Sequence, residues 1–538
     1  MDRTSKRQGN VSEMVETPET QRRRYPVGVQ TFEDVRTNFD GYVDKTRYVY
    51  RLATSPGKTF FLSRPRRFGK SLLLSTMQAY FEGRRELFGG LAIEKLETAW
   101  ESHPVIRLDL STVKTRDIGE LRALLDFLLS RCENEFGCDP NAQTPGSRLF
   151  GLIQRAHNQS GKQVVVLVDE YDAPLLNVVD DPDKLQAFRE VMREFYAPLK
   201  ACDAWLRFVF LTGITKFSQL SIFSELNNLQ NISMDSEFAA ICGISEQELV
   251  GQMSLDVDLL AVRLGIGRED ALGRLKDYYD GYHFVPGSPD LYNPFSLLSA
   301  FARGRIDPYW FGSGTPTSLI AMLKTYGWEL ADLEGCEAAA SEFDAPTESM
   351  DTPLPMLYQA GYLTIKAYDD ASLTYTLGIP NREVRQGLAE SLVRHAAPGA
   401  LRSHNAFLRT FAAHLRADDI ESALQDMKSY LAGIPYHLGS HDERGFQTTL
   451  YLVFDLLGMQ IDTEFKTATG RADAVMRTTN TVYVMEFKYG KSAAEALAQI
   501  DRKGYLVPFE RDGRRLVKVG VNFSPQTRSI DEWLVEEA

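Results

Sequence analysis

The first 215 residues alternate between short apolar runs and amphipathic or polar segments. Largely apolar runs cover residues 59–63, 163–170 and 206–211, and turn-forming or charged residues bound each of them. Short continuous apolar runs are typical of strands that are buried on both faces of a parallel sheet. The pattern therefore predicts an α/β core over residues 25–234, with a mostly parallel sheet and helices on both of its faces.

The pattern changes after residue 234. Apolar residues at helical spacing, such as Leu272, Leu275 and Tyr279, dominate residues 235–345, and we expect a helical lid there. Residues 346–400 then predict a helix, a two-stranded hairpin and another helix that starts near Asn381. This order is typical of a small winged-helix-like connector, which either binds nucleic acid or only joins its neighbours.

Residues 401–538 begin with helical spacing and contain a strand with reactive side chains. Residues 482–488 read Val-Tyr-Val-Met-Glu-Phe-Lys, and Asp473 precedes them across a short turn. Because side chains alternate along a strand, Glu486 and Lys488 share one face while Phe487 points into the core. The carboxylates of Asp473 and Glu486 suit Mg²⁺ or Mn²⁺, and Lys488 would orient or deprotonate a water that attacks phosphorus. The alternative is a Glu-x-Lys pair on an ordinary exposed face.

The predicted elements around Asp473 follow the order helix, three strands, helix, strand. This order resembles the PD-(D/E)XK nuclease superfamily, whose αβββαβ core has the acidic residue and Glu-x-Lys on adjacent strands. The resemblance implies that Asp473, Glu486 and Lys488 are the metal-binding and catalytic residues. It also implies that Glu443 is the acidic residue of the first helix and that Gln499 acts from the helix after the core strands. No Pro precedes Asp473, which departs from the superfamily's pattern.

A second phosphate-binding pattern follows the first predicted strand. Residues 64–71 read Arg-Pro-Arg-Arg-Phe-Gly-Lys-Ser and lead into an apolar helix. A strand, a loop ending in Gly-Lys-Ser and a helix form a P-loop, in which backbone N–H groups and the helix N-terminus bind phosphates. Lys70 would bind the β- and γ-phosphates of ATP, and Ser71 would bind Mg²⁺. The consensus has Gly where this chain has Arg64. The predicted nucleotide-binding residues of the loop are Arg67, Phe68, Gly69, Lys70, Ser71 and Leu72.

Polar residues also follow the other two apolar runs. Asp169 would hold Mg²⁺ directly or through water, and Glu170 would activate the attacking water. The alternative is a pair of acidic residues that stabilise a helix N-terminus. Thr212 ends the third run, where a side chain that senses the γ-phosphate or the attacking water would lie. Lys216 is a second candidate for this role, and either residue is otherwise a cap or turn residue.

Several further segments resemble bacterial AAA-ATPase-like proteins that have a C-terminal PD-(D/E)XK nuclease domain. These segments are Tyr-Val-Asp-Lys-Thr at 42–46, Val-Asp-Glu-Tyr-Asp-Ala-Pro-Leu at 168–175, Ile-Phe-Ser-Glu-Leu-Asn-Asn-Leu at 222–229, Tyr-Tyr-Asp-Gly-Tyr at 278–282 and Tyr-Asn-Pro-Phe-Ser at 292–296. The resemblance covers nearly the whole chain, and the loop that starts at Arg64 looks like this family's own form of the P-loop. It implies an N-terminal ATP-binding domain and a C-terminal domain that acts on DNA.

Length, charge and cysteine content narrow the remaining possibilities. The chain has 538 residues with 43% hydrophobic content, which is enough for several globular domains. Its net charge of −13 excludes a general basic coat, so nucleic acid would contact local patches. One such patch, or an ordinary solvated face, consists of Arg502, Lys503, Arg511, Arg514, Arg515 and Lys518.

The five cysteines have neither the spacing of a zinc site nor that of a disulfide framework. No apolar run approaches the roughly 18 residues of a membrane span. We therefore expect a protein of the reducing cytoplasm that has no membrane partner. Residues 1–24 are polar and charged, and we expect a disordered lead there.

Together these features predict an enzyme that uses ATP and Mg²⁺ and that cleaves nucleic acid, most simply DNA, under control of the nucleotide state. An alternative is a nucleotide-controlled DNA-binding or signalling protein whose nuclease fold does not cut. A third interpretation is an ATPase motor whose C-terminal domain serves assembly. No arginine is identified as one supplied by a neighbouring subunit, so a homo-oligomer is left open.

Overall fold

The structure is a computed structural model, and several segments lie outside the residues that it describes. The described residues are 23–216, 228–313, 317–328, 330–346, 350–396, 401–432, 460–467, 470–527 and 529–538. Most of the predicted disordered lead, and the predicted helix around Glu443, lie outside these residues. In the described part of the chain, no helix is both long enough and apolar enough to cross a membrane.

A five-stranded parallel sheet forms the core of the N-terminal part. Its strands are β1 (Thr59–Ser63), β2 (Val105–Asp109), β3 (Val164–Asp169), β4 (Leu206–Gly213) and β5 (Leu229–Asn231). Their order across the sheet is β2-β3-β4-β1-β5, and every pair is parallel. The mostly parallel sheet predicted from the apolar runs is therefore confirmed. Because β4 lies between β1 and β3, the carboxyl ends of these three strands meet at one edge.

Helices cover both faces of this sheet. They are α1 (Phe32–Asn38), α2 (Thr46–Thr54), α3 (Lys70–Phe81), α4 (Ala92–Leu96), α5 (Ile118–Phe136), α6 (Pro145–Ser160), α7 (Ala173–Leu176), α8 (Pro182–Tyr196) and α9 (Pro198–Ala201). Alternation along β1 divides the core in two, since Phe60 and Leu62 join one hydrophobic cluster and Phe61 joins the other. Residues of α3 pack in the first cluster, and residues of α5 and α6 pack in the second.

The next part is mainly helical, as the sequence predicts. It contains α10 (Glu246–Gln252), α11 (Ser254–Leu264), α12 (Arg268–Tyr279), α13 (Pro294–Arg303) and α14 (Thr317–Tyr326). Two short antiparallel strands, β6 (Ile244–Ser245) and β7 (Leu291–Tyr292), pair within it. Helices α10 to α13 share one hydrophobic cluster that contains Leu249, Val257, Leu275 and Leu297.

A three-stranded antiparallel sheet follows. It consists of β8 (Cys336–Ala338), β9 (Thr364–Asp369) and β10 (Thr374–Gly378), with α15 (Ala340–Phe343), α16 (Leu354–Gln359) and α17 (Arg382–Ala396) around it. The predicted helix, hairpin and second helix correspond to α16, β9–β10 and α17. However, β8 pairs with β10 across the predicted boundary between residues 345 and 346. The structure therefore does not separate a lid from a connector at that position, because one sheet spans it.

A second five-stranded sheet forms the C-terminal part. Its elements are α18 (Leu401–Arg416), α19 (Ile420–Ala432), β11 (Gln460–Thr467), β12 (Gly470–Arg477), β13 (Thr481–Tyr489), α20 (Ala493–Lys503), β14 (Arg515–Ser524) and β15 (Ser529–Glu537). The strands follow chain order, and only β13 and β14 pair in parallel. Helix α20 forms the crossover that such a parallel pair requires. The predicted order of three strands, a helix and a strand is confirmed, and β15 adds an edge strand.

Candidate functional site

The P-loop connects β1 to α3. Two of its residues have left-handed backbone conformations, Arg67 with φ of 65° and Gly69 with φ of 96°. Glycine adopts this conformation without strain, whereas arginine adopts it only where the surrounding structure imposes it. The loop thereby directs the first N–H groups of α3 into the space at the carboxyl edge of the sheet. A helix N-terminus of this kind binds phosphate.

Arg64, at the position where the consensus has Gly, is an interior residue with 1% of its surface exposed. Its guanidinium donates hydrogen bonds to the backbone carbonyls of Ser63 (2.9 Å), Ser233 (2.8 Å) and Ala239 (3.2 Å). It also lies 4.2 Å from the centre of the Phe284 ring. Arg64 therefore holds the start of the loop against a distant segment of the chain.

The four predicted residues of the ATP and Mg²⁺ chemistry lie together. Lys70 is 3% exposed, and its Nζ atom lies 3.4 Å from a carboxylate oxygen of Glu170. Lys70 also donates to the backbone carbonyl of Arg64 at 3.1 Å. The hydroxyl of Ser71 hydrogen-bonds to Asp169, whose pKa burial raises to about 6. The two predicted Mg²⁺ ligands therefore contact each other, and the predicted base contacts the lysine.

Thr212 has a different environment from the predicted one. Its hydroxyl donates to the backbone carbonyl of Leu62 at 2.8 Å, so the side chain ties β4 to β1 instead of facing the phosphate site. Lys216, the second candidate, forms a buried ion pair with Asp344. Neither side chain points into the site in this structure, because each already has a partner in the protein.

Asp172 is a residue of this site that the sequence analysis missed. Its carboxylate accepts hydrogen bonds from the backbone N–H groups of Ile214 (3.0 Å) and Thr215 (2.7 Å), and from the Thr215 hydroxyl (2.7 Å). Burial raises its pKa to about 6, and the nearby charge of Glu170 adds to this effect. Asp172 thus fixes the loop after β4. The signal in the sequence was its place in the segment at 168–175 that carries the family resemblance, three residues after Asp169.

A cavity of about 590 Å³ opens at the P-loop. The polar residues that line it include Arg66, Arg67, Lys70, Ser71 and Glu170, and the apolar ones include Leu72, Phe295 and Leu298. A molecule with a charged phosphate chain and a flat base matches this mixed lining. Phe68, by contrast, is buried against Tyr282 and Phe284, so only its backbone faces the loop.

The predicted nuclease residues converge in the C-terminal sheet. Asp473 lies on β12, and Glu486 and Lys488 lie on the neighbouring strand β13. A carboxylate oxygen of Asp473 accepts from the N–H of Phe487 at 2.7 Å, and Lys488 Nζ lies 2.8 Å from Glu486 Oε1. The side-chain amide of Gln499, on α20, donates to the same oxygen of Glu486. Glu443 lies outside the described residues.

Glu486 is almost completely buried, with 1% of its surface exposed. Burial raises the pKa of its carboxyl, while Lys488 partly opposes the shift. Its second oxygen, Oε2, has no hydrogen-bond partner among the described residues, and neither has Oδ1 of the buried Asp169. A buried carboxylate oxygen without a partner is costly, and a divalent cation would satisfy it. Both centres therefore fit a metal ion by the chemistry of their donors.

The basic patch predicted beside β13 is smaller than its sequence suggests. Lys518 is buried and forms ion pairs with Asp501 and Glu536, both at 2.9 Å. Arg514 pairs with Asp512. Arg515 begins β14 opposite Thr481, at the other end of β13 from Lys488.

The parallel sheet with its P-loop and the C-terminal sheet with its Asp and Glu-x-Lys define a nucleotide-binding protein with a nuclease-type domain. Family models agree, since residues 26–223 match a predicted AAA-ATPase and residues 441–533 match the PD-(D/E)XK nuclease superfamily. The chain is 33% identical over 530 residues to an uncharacterised protein in the vnfD 5′ region of Azotobacter chroococcum mcd 1. That alignment covers 96% of this chain and 99% of the relative. The chain belongs to this family of AAA-ATPase-like proteins with a PD-(D/E)XK nuclease superfamily domain.

Proposed function

We propose that this protein binds and hydrolyses ATP, cleaves DNA with Mg²⁺, and has its cutting regulated by the nucleotide at the P-loop. The observation that supports cleavage most directly is that Lys488 and Gln499 both donate to one carboxylate oxygen of Glu486. Asp473 lies on the neighbouring strand, where its carboxylate accepts from the N–H of Phe487 beside them.

In the proposed cleavage, Asp473 and Glu486 would hold Mg²⁺, which when bound would polarise the phosphodiester and lower the pKa of a bound water. Lys488 orients that water and stabilises the negative charge that develops on phosphorus. Gln499 keeps Glu486 oriented by donating to Oε1, so that Oε2 remains available to the metal. Each residue thus has one defined task at the same phosphate.

In the proposed ATP hydrolysis, Lys70 binds the β- and γ-phosphates, and Ser71 and Asp169 would hold Mg²⁺. A carboxylate oxygen of Glu170 lies 3.4 Å from Lys70 Nζ. In the proposed reaction the phosphates bind Lys70 and Glu170 accepts a proton from the attacking water. Its φ of 49° is left-handed, a conformation that costs about 1–3 kcal/mol for a residue other than glycine. Such strain at a catalytic position is consistent with a residue that is held for its reaction.

A chain of contacts from the P-loop to α17 supports nucleotide control. Arg67 lies 3.8 Å from the centre of the Phe295 ring and donates to the carbonyl of Tyr309 at 3.3 Å. The N–H groups of Tyr309 (2.5 Å) and Trp310 (2.7 Å) both donate to the buried carboxylate of Glu383 at the start of α17. Phosphate binding that moves Arg67 would therefore act on α17, which precedes the nuclease-type part in the chain.

Cleavage of plasmid and linear DNA, with and without ATP, tests the proposal. We expect wild type to cut with Mg²⁺ or Mn²⁺, Lys488→Ala to lose cutting by at least about 100-fold, and Lys70→Ala to cut without responding to ATP. Lys491→Ala is the matched control, because Lys491 is exposed and lies just beyond β13. Single-stranded DNA and RNA substrates of the same sequence define the substrate class.

Two results would contradict the proposal in different ways. If wild type cuts nothing but still hydrolyses ATP, the C-terminal sheet is a binding module, which is the alternative raised by the sequence. If Lys70→Ala keeps the same ATP response as wild type, nucleotide control is wrong and the two chemistries are independent.

A further inference from the structure

The P-loop has an unusual charge, with three arginines and a lysine between residues 64 and 70. The structure gives three of these four cations a partner within the protein. Arg64 donates to backbone carbonyls in the interior, Arg67 packs on Phe295, and Lys70 contacts Glu170. Each of the three thus has an evident structural or nucleotide-binding task.

Arg66 differs from its neighbours. Its side chain is exposed and lines the same 590 Å³ cavity as Lys70, Ser71 and Glu170. Within the described residues, no carboxylate pairs with its guanidinium and no hydrogen bond from its side chain is formed. The backbone is nevertheless fixed, since the Trp310 indole N–H donates to the Arg66 carbonyl at 3.3 Å. A loop with a fixed backbone thus presents an unpaired guanidinium to the phosphate cavity.

The chemistry of phosphoryl transfer has a use for such a group. Charge spreads over the oxygens of the γ-phosphate in the transition state, and an arginine that binds them accelerates the reaction by roughly 10³–10⁵. A guanidinium is suited to this task because its planar N–H groups match phosphate oxygens in pairs. Arg66 lies in the middle of the loop that crosses the phosphates, between the strand end at Ser63 and the helix start at Lys70.

We propose that Arg66 is an arginine finger that the chain supplies to its own ATP site. This inference rests on the proposed ATP hydrolysis. A water oxygen forms a bond to the γ-phosphorus, the bond from that phosphorus to the β,γ-bridging oxygen breaks, and its electron pair stays on ADP. The water's proton passes to Glu170, and Arg66 binds the γ-phosphate oxygens throughout. The site is then complete in one polypeptide and needs no arginine from a second subunit.

Kinetics of the Arg66→Ala variant test the role of the side chain. We expect its kcat for ATP hydrolysis to fall by at least about 100-fold, while its affinity for ADP, measured by calorimetry, changes by less than about twofold. Arg66→Lys keeps the positive charge but lacks the paired N–H groups of a guanidinium. Its kcat should therefore lie between those of wild type and Arg66→Ala. Arg116→Ala, at an exposed arginine before α5, is the control. Wild-type kcat in Arg66→Ala, or an equal loss of ADP and ATP binding, would overturn the inference.

A mixing experiment tests whether the arginine acts within its own chain. Lys70→Ala chains retain Arg66, and Arg66→Ala chains retain an otherwise intact site. If the arginine acts in its own chain, the mixture hydrolyses ATP no faster than the sum of its parts, and kcat of wild type is independent of protein concentration. Restored activity in the mixture would overturn the assignment. Wild type that hydrolyses no ATP at all would instead overturn the proposed function, and this inference with it.

Discussion

Asp169 and Glu486 share a feature that distinguishes them from ordinary surface carboxylates. Each is buried, each has a raised pKa, and each has one oxygen without a partner among the described residues. An ionised carboxylate in this position lowers the stability of the fold, because burial disfavours the charge. In addition, the unpaired oxygen is removed from bulk water without gaining a hydrogen bond in the protein. Ionisation of these residues therefore lowers the stability of the metal-free protein, as expected if the proposed cation sites are preformed.

Asp169→Asn should consequently stabilise the metal-free protein at neutral pH. The folded pKa of Asp169, about 6, lies above the ordinary value of 3.8, so the folded protein holds its proton longer than the unfolded chain. Stability from this group is complete below about pH 4 and is lost as the pH rises through 6. The shift corresponds to a loss on the order of 3 kcal/mol above pH 6.

Melting temperatures in chelator at pH 4.5 and 7.5 measure this effect. We expect Asp169→Asn to melt above wild type at pH 7.5 and close to it at pH 4.5, while Mg²⁺ with ATP stabilises only wild type. Asp370→Asn, at an exposed turn, is the control and should leave both values unchanged. A variant that melts below wild type at pH 7.5 in chelator would show that Asp169 is held by contacts within the protein.

At the level of elements, the nuclease-type site depends on how closely α20 approaches the sheet. Gly520 on β14 lies opposite Glu486 in the register of β13 and β14. A Cβ atom at residue 520 would lie 2.4 Å from the carbonyl oxygen of Ala493 and 3.1 Å from the Cβ atom of Ala496. Glycine thus permits α20 to lie against the sheet, where Gln499 reaches Glu486.

Gly520→Ala should disable cleavage without touching any reactive side chain. The added methyl group must displace α20, since its nearest neighbour is backbone, and overpacking of this kind costs about 1–3 kcal/mol. We expect the rate of DNA cleavage to fall by at least about tenfold because Glu486 loses its hydrogen bond from Gln499. ATP hydrolysis, measured on the same sample, should remain at the wild-type rate.

Gly251→Ala is the matched control for this substitution. Gly251 lies in α10, and a Cβ atom there would meet nothing within 4 Å. Alanine also has a higher helix propensity than glycine, so this variant should fold at least as well as wild type. Unchanged cleavage by Gly520→Ala would contradict the positioning role of α20.

At the scale of the whole molecule, hydrophobic clusters divide the described chain into two parts. One cluster runs from Phe32 in α1 through the parallel sheet to Ala389 in α17. Another joins α18 and α19 to the C-terminal sheet, from Phe407 to Ile530. In the described residues no such cluster contains members of both parts, and the predicted boundary between residues 400 and 401 falls between α17 and α18.

Heating should therefore unfold the two parts in separate steps. ATP should raise the melting temperature of only the part that contains the P-loop. A ligand at 100 times its Kd stabilises the folded state by about 2.7 kcal/mol, which corresponds to a few degrees for a domain of this size. In calorimetry, we expect ATP with Mg²⁺ to raise the melting temperature of residues 23–396. The melting temperature of the C-terminal part should stay unchanged. Lys70→Ala should abolish the shift, and equal movement of both transitions would contradict the division.

The features that the sequence predicts are those fixed by neighbours along the chain. Gly69, Lys70 and Ser71 form a P-loop because strand, loop and helix are contiguous, and Glu486 and Lys488 share a face because strands alternate. The P-loop and the shared face of Glu486 and Lys488 are both determined by spacing within a few residues of the chain. Gln499 was identified only from the family resemblance, because its contact with Glu486 joins residues that are 13 positions apart in the chain.

The features that the sequence does not predict depend on contacts between distant segments. Two of the carbonyl partners of Arg64 lie 169 and 175 residues away, at Ser233 and Ala239. Thr212 faces Leu62 because β4 inserts beside β1, and this strand order is not encoded in either segment alone. The sequence did not predict the pairing of β8 with β10 for the same reason. A strand of three residues is too short to show an alternating pattern of apolar and polar residues.

The buried position of Arg64 bears on how relatives of this chain are recognised. A pattern search that requires glycine at the first position of the phosphate-binding loop would pass over this protein, although the rest of the loop is intact. A pattern that accepts arginine followed by proline would recover it, provided that the chain also supplies the backbone oxygens that receive the guanidinium. In this chain, arginine at that position marks a differently anchored loop, and the Gly-Lys-Ser that follows it is intact.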